Sequence, residues 1–274
     1  MKRSFCQLAA AVLILGALPA GGSPQFTPKE LADRPAIEAT LRNAGVVRSE
    51  KIGAGVTKPT RVYLRHGDTE ISGVWKDTAG RDPDYPEGWR HEIAAYRLDV
   101  LLGLGMVPPT VERRFHMRKC SLQFWVPGLT SEHALFRAGR EIPADRLEHC
   151  GRMQQLCNAF DSLIANVDRN QGNFAYTEDW RVILIDHSRS FSTNRFYVEQ
   201  LVCGDKGMKR VPLVPLPKAF VRRVRGLTAE AIREAVGKYL NTLEIRAVMK
   251  RRDLLLAEID GMIDRLGEDA VLYD

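Results

Sequence analysis

Between Trp89 and Leu104 the apolar side chains fall at Trp89, Ile93, Tyr96, Val100, Leu101 and Leu104. That spacing predicts an amphipathic helix, ended by Gly103 and Gly105. On either side of it the pattern is that of strands. Arg61 to Leu64 and Ile71 to Lys76 are short β-like runs joined by a turn at His66-Gly67-Asp68, and Val107 to Phe115 and Ser121 to Val126 give two more. Gly53, Gly55 and Pro59 mark a turn before the first of these runs, and Asp82 to Gly88 is a Pro-rich loop. Further forward, Pro35 to Asn43 has helical spacing with Pro at its first turn. After Pro127-Gly128 the pattern becomes helical. Leu147, Cys150, Met153, Cys157, Phe160, Leu163, Ile164 and Val167 predict one long helix over Asp145 to Val167. A hairpin with Val182 to Ile185 as its second strand follows, then a basic, Pro-interrupted stretch from Lys206 to Arg225. Helices over Thr228 to Leu240 and Thr242 to Leu266 complete the chain, each opening with Thr and an early Glu. The order is a strand-rich front half with one helix, a link, and a helical back half. The expected fold class is therefore α+β.

The first residues do not read as part of that fold. Met1-Lys2-Arg3 is a positive start, Leu8 to Leu18 an apolar run, and Pro19-Ala20-Gly21-Gly22 a set of small residues suited to cleavage. The run is shorter than the roughly 20 residues a membrane span needs. It reads as an export signal over residues 1–22, with an uncleaved anchor helix as the alternative. Its loss would lower the formal charge of +6 by two, since it carries Lys2 and Arg3 and no acid. Such a modest excess says little about partners. Cys120, Cys150, Cys157 and Cys203 lie beyond the signal, and export would permit disulfides. Cys150 and Cys157, on one helix, would sit about 10 Å apart and could not bond to each other. Disulfides elsewhere and four buried thiols both remain open. No Cys/His spacing suggests zinc, and an exported chain without a recognisable binding module is a poor candidate for nucleic acid.

The chemistry-bearing residues concentrate in ANVDRNQGNFAYTEDWRVILIDHSRSF, Ala165 to Phe191. Asp168 stands five residues before Asn173, and an apolar strand then delivers Asp186. One carboxylate can orient a hydroxyl while an amide oxygen and a second carboxylate hold a metal that bridges nucleotide phosphates. Magnesium keeps several waters, so two protein oxygen ligands suffice. Arg169 would hold the loop by pairing with a carboxylate or backbone. Asp186, at the end of a buried strand, needs a metal, a cation or amides to compensate it. His187 and Arg189 offer an ion pair as the bland alternative, and Asp168 and Asn173 also suit an ordinary polar turn. Upstream, Lys76 ends a predicted strand and Glu92 follows 16 residues later in the first turn of the Trp89 helix. A strand Lys and a helix Glu in that order can form an ion pair that presents the ammonium to phosphates. Gly53 and Gly55, in Lys51 to Lys58, would let backbone amides approach those phosphates. The segment fits neither a G-x-G-x-x-G loop nor a Walker A motif, because Lys58 stands where a third Gly would be.

At these residues the chain resembles the atypical kinases with the phosphoinositide-kinase-like and HipA-like version of the kinase fold. It is most similar to the secreted branch containing four-jointed, the Golgi casein kinases and their bacterial relatives. DRNQGN resembles that branch's D-R-x-x-x-N catalytic loop, and ILIDHSRSF its I-D-x-x-x-x-F metal-binding stretch. GVWKD followed by WRHEIAAYRLDVLLGLGMVPPTVERR resembles its nucleotide Lys, its helix Glu and the next strand. SLQFWVPG stands where that fold links its lobes and contacts adenine. The likeness runs from about Lys51 to Leu266.

The resemblance implies a two-lobed kinase-like fold, with an export signal at 1–22, an N-terminal extension at 23–50, a small lobe at 51–127 and a mainly helical lobe at 128–274. It implies ATP with magnesium or manganese. By position it assigns Lys76 and Glu92 to the phosphates, Phe124 and Val126 to adenine, Asp168 and Arg169 to the catalytic loop, and Asn173 and Asp186 to the metal. The expected activity is transfer of the ATP γ-phosphoryl group to a hydroxyl on a protein or sugar. A nucleotide-binding pseudokinase and an AMP transferase on the same fold are the alternatives. An exported kinase would need its nucleotide supplied where it acts. Lys206, Lys209, Arg210, Lys218, Arg222, Arg223 and Arg225 would favour an acidic acceptor, or else form an ordinary solvated face.

Overall fold

The computed structural model describes residues 24–53, 59–77, 88–115 and 117–274. The expected signal at 1–22, Gly55 and residues 82–87 of the Pro-rich loop lie outside them. In chain order the elements are α1 (Pro28–Asn43), β1 (Gly45–Lys51), β2 (Thr60–His66), β3 (Thr69–Lys76), α2 (Trp89–Leu102), β4 (Thr110–Phe115) and β5 (Arg118–Phe124). There follow β6 (Thr130–Ser131), α3 (Glu132–Arg137), α4 (Leu147–Ile164), β7 (Phe174–Tyr176), β8 (Val182–Leu184) and α5 (Arg195–Glu199). The chain closes with β9 (Leu216–Pro217), α6 (Lys218–Arg225), α7 (Ala229–Val236), α8 (Thr242–Leu266), α9 (Glu268–Val271) and β10 (Leu272–Tyr273).

The front lobe is an antiparallel sheet in the order β1-β2-β3-β5-β4. Alternation along β2 sends Val62 and Leu64 inward, where they meet Val111 of β4, Leu122 of β5 and Leu41 of α1. α1 begins seven residues earlier than Pro35, because Thr27 and Glu30 form a capping box and Pro28 occupies the first turn. Pro35 consequently lies inside the helix. β1, at the sheet edge, was not legible as a strand: all seven of its residues are exposed, so its sequence has no buried face to alternate with.

The helical lobe is organised around α4, whose Phe160, Leu163 and Ile164 are fully buried in the one cluster that also holds side chains of α2, α6, α7 and α8. α4 is shorter than its apolar periodicity suggests. A 3-10 turn, Ala144–Arg146, precedes it. Ala165 ends it in the left-handed region (φ 52°), donating its N–H to Asp161 O. That stop releases Asn166 to Asp168 from the helix. Part of the basic stretch is consumed internally. Arg223 Nη1 donates to Leu102 O at the end of α2 at 2.7 Å, Arg225 pairs with Asp260, and Lys218 with Asp274. Gly103, at φ 61°, is where that Arg223 guanidinium lies, and a Cβ there would strike Nη1. Cys120, Cys150, Cys157 and Cys203 are buried free thiols. Among the described residues no helix is long and apolar enough to cross a membrane.

Asp99 shows what one buried carboxylate does at the junction of these layers. It is fully buried on α2, accepts N–H bonds from Met106 and Val107 at 2.8 and 3.1 Å, and lies 3.7 Å from Arg34 of α1. Burial pushes its carboxyl up to about 6 from an ordinary 3.8, against the opposing pull of Arg34 and the amides. A raised carboxyl favours the folded state while protonated, and that contribution is lost as pH rises from about 4 through 6. Asp99→Asn keeps an acceptor for both amides but cannot ionise. On going from pH 4 to pH 7, the unfolding free energy of wild type relative to this variant should fall by about 2 kcal/mol, at roughly 1.4 kcal/mol per pKa unit. Urea titrations of both proteins at the two pH values check it.

Candidate active site

Three elements far apart in sequence meet at one ammonium. Lys76 is the last residue of β3, and its Nζ donates to Glu92 Oε1 at 2.6 Å and to Asp186 Oδ1 at 2.9 Å. Glu92 sits in the first turn of α2 and is 1% exposed. Its other oxygen, Oε2, accepts the backbone N–H of His187 at 3.0 Å. Both Glu92 oxygens are thus used, one on the sheet lobe and one on the loop that follows β8. Asp186 has a φ of 58°, a left-handed conformation that breaks the extended chain just past β8. Ser188 Oγ donates back to Asp186 Oδ1 at 3.1 Å.

The electrostatics follow from this packing. Burial works against the Lys76 ammonium, but Glu92 and then Asp186 outweigh it and raise its pKa, so the lysine is held charged. Burial opposes ionisation of Asp186 as well. Lys76, aided by the Ser188 hydroxyl, overcomes it and brings the carboxyl down to about 2. Glu92 moves the other way: its burial, reinforced by Asp186, exceeds the pull of Lys76. Asp186, its side chain 34% exposed against 2% for Glu92, is the carboxylate of this trio that reaches solvent.

Behind it stands Arg169, 7% exposed at its side chain and turned inward. Its Nε and Nη2 bind Asp161 Oδ2 and Oδ1 at 2.8 and 3.0 Å, a two-pronged ion pair. Its Nη1 binds the carbonyls of Asn173 and Ile185 at 2.7 and 2.8 Å. Nη2 also meets His187 Nε2 at 3.0 Å. A guanidinium only donates, so Nε2 is the accepting nitrogen and His187 is the neutral tautomer with its proton on Nδ1. Burial first, and Arg169 second, hold this imidazole well below its ordinary pKa. With Nε2 engaged by Arg169, His187 is a structural partner in this arrangement.

Asn173 and Asp186 are brought together by hairpin register. Phe174 pairs with Leu184, and one step further Ile185 N–H donates to Asn173 O at 3.1 Å. The Asn173 side chain donates Nδ2 to Asp168 O at 3.2 Å, which leaves its amide oxygen for another role. Asp186 Oδ2 has no hydrogen-bond partner among the described residues, Oδ1 taking both Lys76 and Ser188. One amide oxygen and one carboxylate oxygen make a hard donor pair suited to magnesium or manganese. Asp168 has a carboxylate 41% exposed, with Arg189 Nη1 3.8 Å from Oδ2.

Gly53 is exposed, next to the bond from Ile52 N–H to Pro59 O that closes the β1–β2 connection. Val126 is buried with Phe26 and Ile183, and Phe124 packs partly against the same cluster. The sequence reading passed over Asp161, Asn166 and Ser188. Asp161 had a signal, an acid in the buried stripe of α4 beside Phe160, Leu163 and Ile164. Asn166 Nδ2 donates to Asp161 Oδ1 at 3.0 Å, and its Oδ1 accepts Asp168 N–H at 3.3 Å, which only the fold shows.

No family profile and no curated protein matches the chain by sequence. Solved structures do match. Hydra Fam20, solved with a sugar, has a TM-score of 0.66 at 13% identity, over 88% of this chain and 92% of that one. The Golgi casein kinase has a TM-score of 0.61 at 14% identity, over 92% of this chain and 81% of that one. The same kinase with Mn/ADP bound gives 0.61 at 13% identity, with the same coverage. The chain has the atypical kinase fold of these proteins, a two-lobed α+β architecture.

Proposed function

We propose that the protein is an ATP-dependent phosphotransferase that moves the γ-phosphoryl group to a hydroxyl of a protein or sugar acceptor. The observation that carries this reading is the Lys76 ammonium held at once by Glu92 and Asp186 across the two lobes. Such a charged, immobilised lysine suits nucleotide phosphates, and phosphoryl transfer asks a site chiefly to position groups and neutralise charge. Asp168 would orient the acceptor hydroxyl. Arg169 would keep the Asp168 loop and the Asp186 loop at fixed separation through Asp161 and the carbonyls of Asn173 and Ile185. Asn173 and Asp186 would hold magnesium or manganese, which would supply positive charge against that of the nucleotide phosphates. Gly53, Gly55, Phe124 and Val126 would line the nucleotide site. Residues 51–127 and 128–274 would form the two lobes, with 23–50 as an extension and 1–22 as an export signal. A neighbour solved with Mn/ADP supports nucleotide and metal. One solved with a sugar and one named for casein support the two acceptor classes, and a Golgi kinase supports export.

Two outcomes test the reading. In assays with γ-labelled ATP, manganese or magnesium and a panel of proteins and sugars, Asp168→Asn and Asp186→Asn should each lower turnover by about 10²- to 10⁴-fold. A wild-type protein that transfers no label, or transfers label that either variant retains, would defeat it; a product heavier by AMP would instead identify nucleotidyl transfer.

Nucleotide binding is checked separately by melting. Saturation at 100 times Kd stabilises a folded protein by about 2.7 kcal/mol, so ADP with manganese should raise the wild-type Tm measurably. Lys76→Met should lose most of that rise, since its ammonium is the phosphate contact. An undiminished rise in the variant would remove Lys76 from the nucleotide site.

A further inference from the structure

Beside the Asp168 loop lies a cavity of about 330 Å³, between α4 and the segment 202–212. That volume is at the small end of ordinary ligand sites, roughly 300–1,000 Å³. Both walls are fixed. The segment is closed on itself, Gly204 N–H donating to Val211 O at 3.0 Å and Lys209 N–H to Val202 O at 2.7 Å. Two bonds fasten it to α4, from Cys203 N–H to Ser162 Oγ at 3.0 Å and from Asn158 Nδ2 to Pro212 O at 3.1 Å. A ligand would meet a preformed space and pay little to order it. The walls differ in chemistry. Val202, Val211 and Pro212 form an apolar one, and the last two are exposed. On the α4 side Gln154 and Gln155 are half-buried. Gln154 Nε2 donates to Asn158 Oδ1 at 3.1 Å, and Asn158 Nδ2 donates to Gln155 Oε1 at 3.3 Å. Those bonds leave Gln154 Oε1, an acceptor, and Gln155 Nε2, a donor, without a hydrogen-bond partner among the described residues. Lys209 also lines the cavity; its ammonium is 3.5 Å from Val167 O, the outer limit of a hydrogen bond.

We propose that this cavity binds a single acidic sugar, which acts as an effector of the catalytic loop. A pyranose ring has an apolar C–H face and a rim of hydroxyls. Its face would pack on Val202, Val211 and Pro212. Its hydroxyls both donate and accept, so they match the Gln154 oxygen and the Gln155 amino group. An acidic substituent would take the Lys209 ammonium in a charge-assisted bond, which is stronger than the long contact to Val167 O. The cavity also reaches the machinery of the loop, since Asp161, Asn166 and Arg169 line it. Asn166 Nδ2 donates to Asp161 Oδ1 at 3.0 Å, and Asn166 Oδ1 accepts the Asp168 N–H at 3.3 Å. A sugar against Asn166 is therefore one side chain from the Asp168 backbone. Filling the cavity would restrict that backbone and hold Asp168 in place. Sugar binding stands without the phosphotransferase reading; its effect on turnover rests on it.

The test melts the full chain, without nucleotide, in glucuronate, glucose 6-phosphate, glucose or inorganic phosphate. At least one of the two acidic sugars should raise Tm saturably, and by more than glucose or inorganic phosphate. Gln155→Leu and Lys209→Met should each weaken that binding by about 10-fold and keep the basal turnover. With the sugar bound, amide hydrogen exchange followed by mass spectrometry should slow over residues 165–169, and kcat should rise severalfold. No shift with either acidic sugar, an equal shift with inorganic phosphate alone, or a shift that both variants retain overturns the proposal. Binding that leaves exchange over 165–169 and kcat unchanged overturns the effector role, as does label from ATP appearing on the sugar itself, which would make the cavity an acceptor site. Sugar binding with slowed exchange, in a protein that transfers label to no acceptor, would bring down the phosphotransferase reading and leave the sugar site standing.

Discussion

One ammonium joins the two halves of this protein. Lys76 belongs to the sheet, Glu92 to the helix packed against it, and Asp186 to the hairpin of the helical lobe. Each partner would be costly alone, since burying a charge without compensation is heavily penalised. Together they satisfy one another, and Glu92 extends the link by accepting the His187 N–H. The lobes are therefore registered by the same contacts that hold this cation against the Asp186 carboxylate.

A second constraint lies one layer deeper. Arg169 is almost fully enclosed, yet it is compensated by Asp161 and by two carbonyls that flank the paired ends of the hairpin strands. Its fork geometry lets one side chain fix the spacing between the Asp168 loop and the Asp186 loop. The left-handed residues around the site, Ala165, Asp186 and Phe191, mark where regular structure is interrupted to aim these loops. Such conformations are unfavourable for residues with a Cβ and persist where surroundings over-determine them. Phe191 is fully buried and donates its N–H to Ile164 O, so its surroundings do so.

Much of this was readable in the chain. α2, β2 and β3 lie within a few residues of their expected spans, although α2 is buried without a break from His91 to Tyr96 and Val100 of its apolar repeat is exposed. α8 runs over Thr242–Leu266, the expected span, since Asn241 and Glu244 cap it and Gly267 ends it. The misreadings have physical causes. β1 has no buried face, so alternation is lost. α1 starts at a capping box that lies ahead of any apolar repeat. α4 stops before its apolar pattern does, because Ala165 takes a left-handed conformation and Val167 packs against the core from the loop beyond.

The local chemistry of Asp168, Asn173 and Asp186 is a property of the sequence, since it follows from short spacings and from a hairpin whose register two apolar strands dictate. Which charges share an oxygen is not. The 110 residues between Lys76 and Asp186, and the choice of Asp161 as the partner of Arg169, are settled only when the lobes pack. The reason is that a buried charge takes whatever complementary group the fold brings within about 3 Å, and chain periodicity carries no information about that distance.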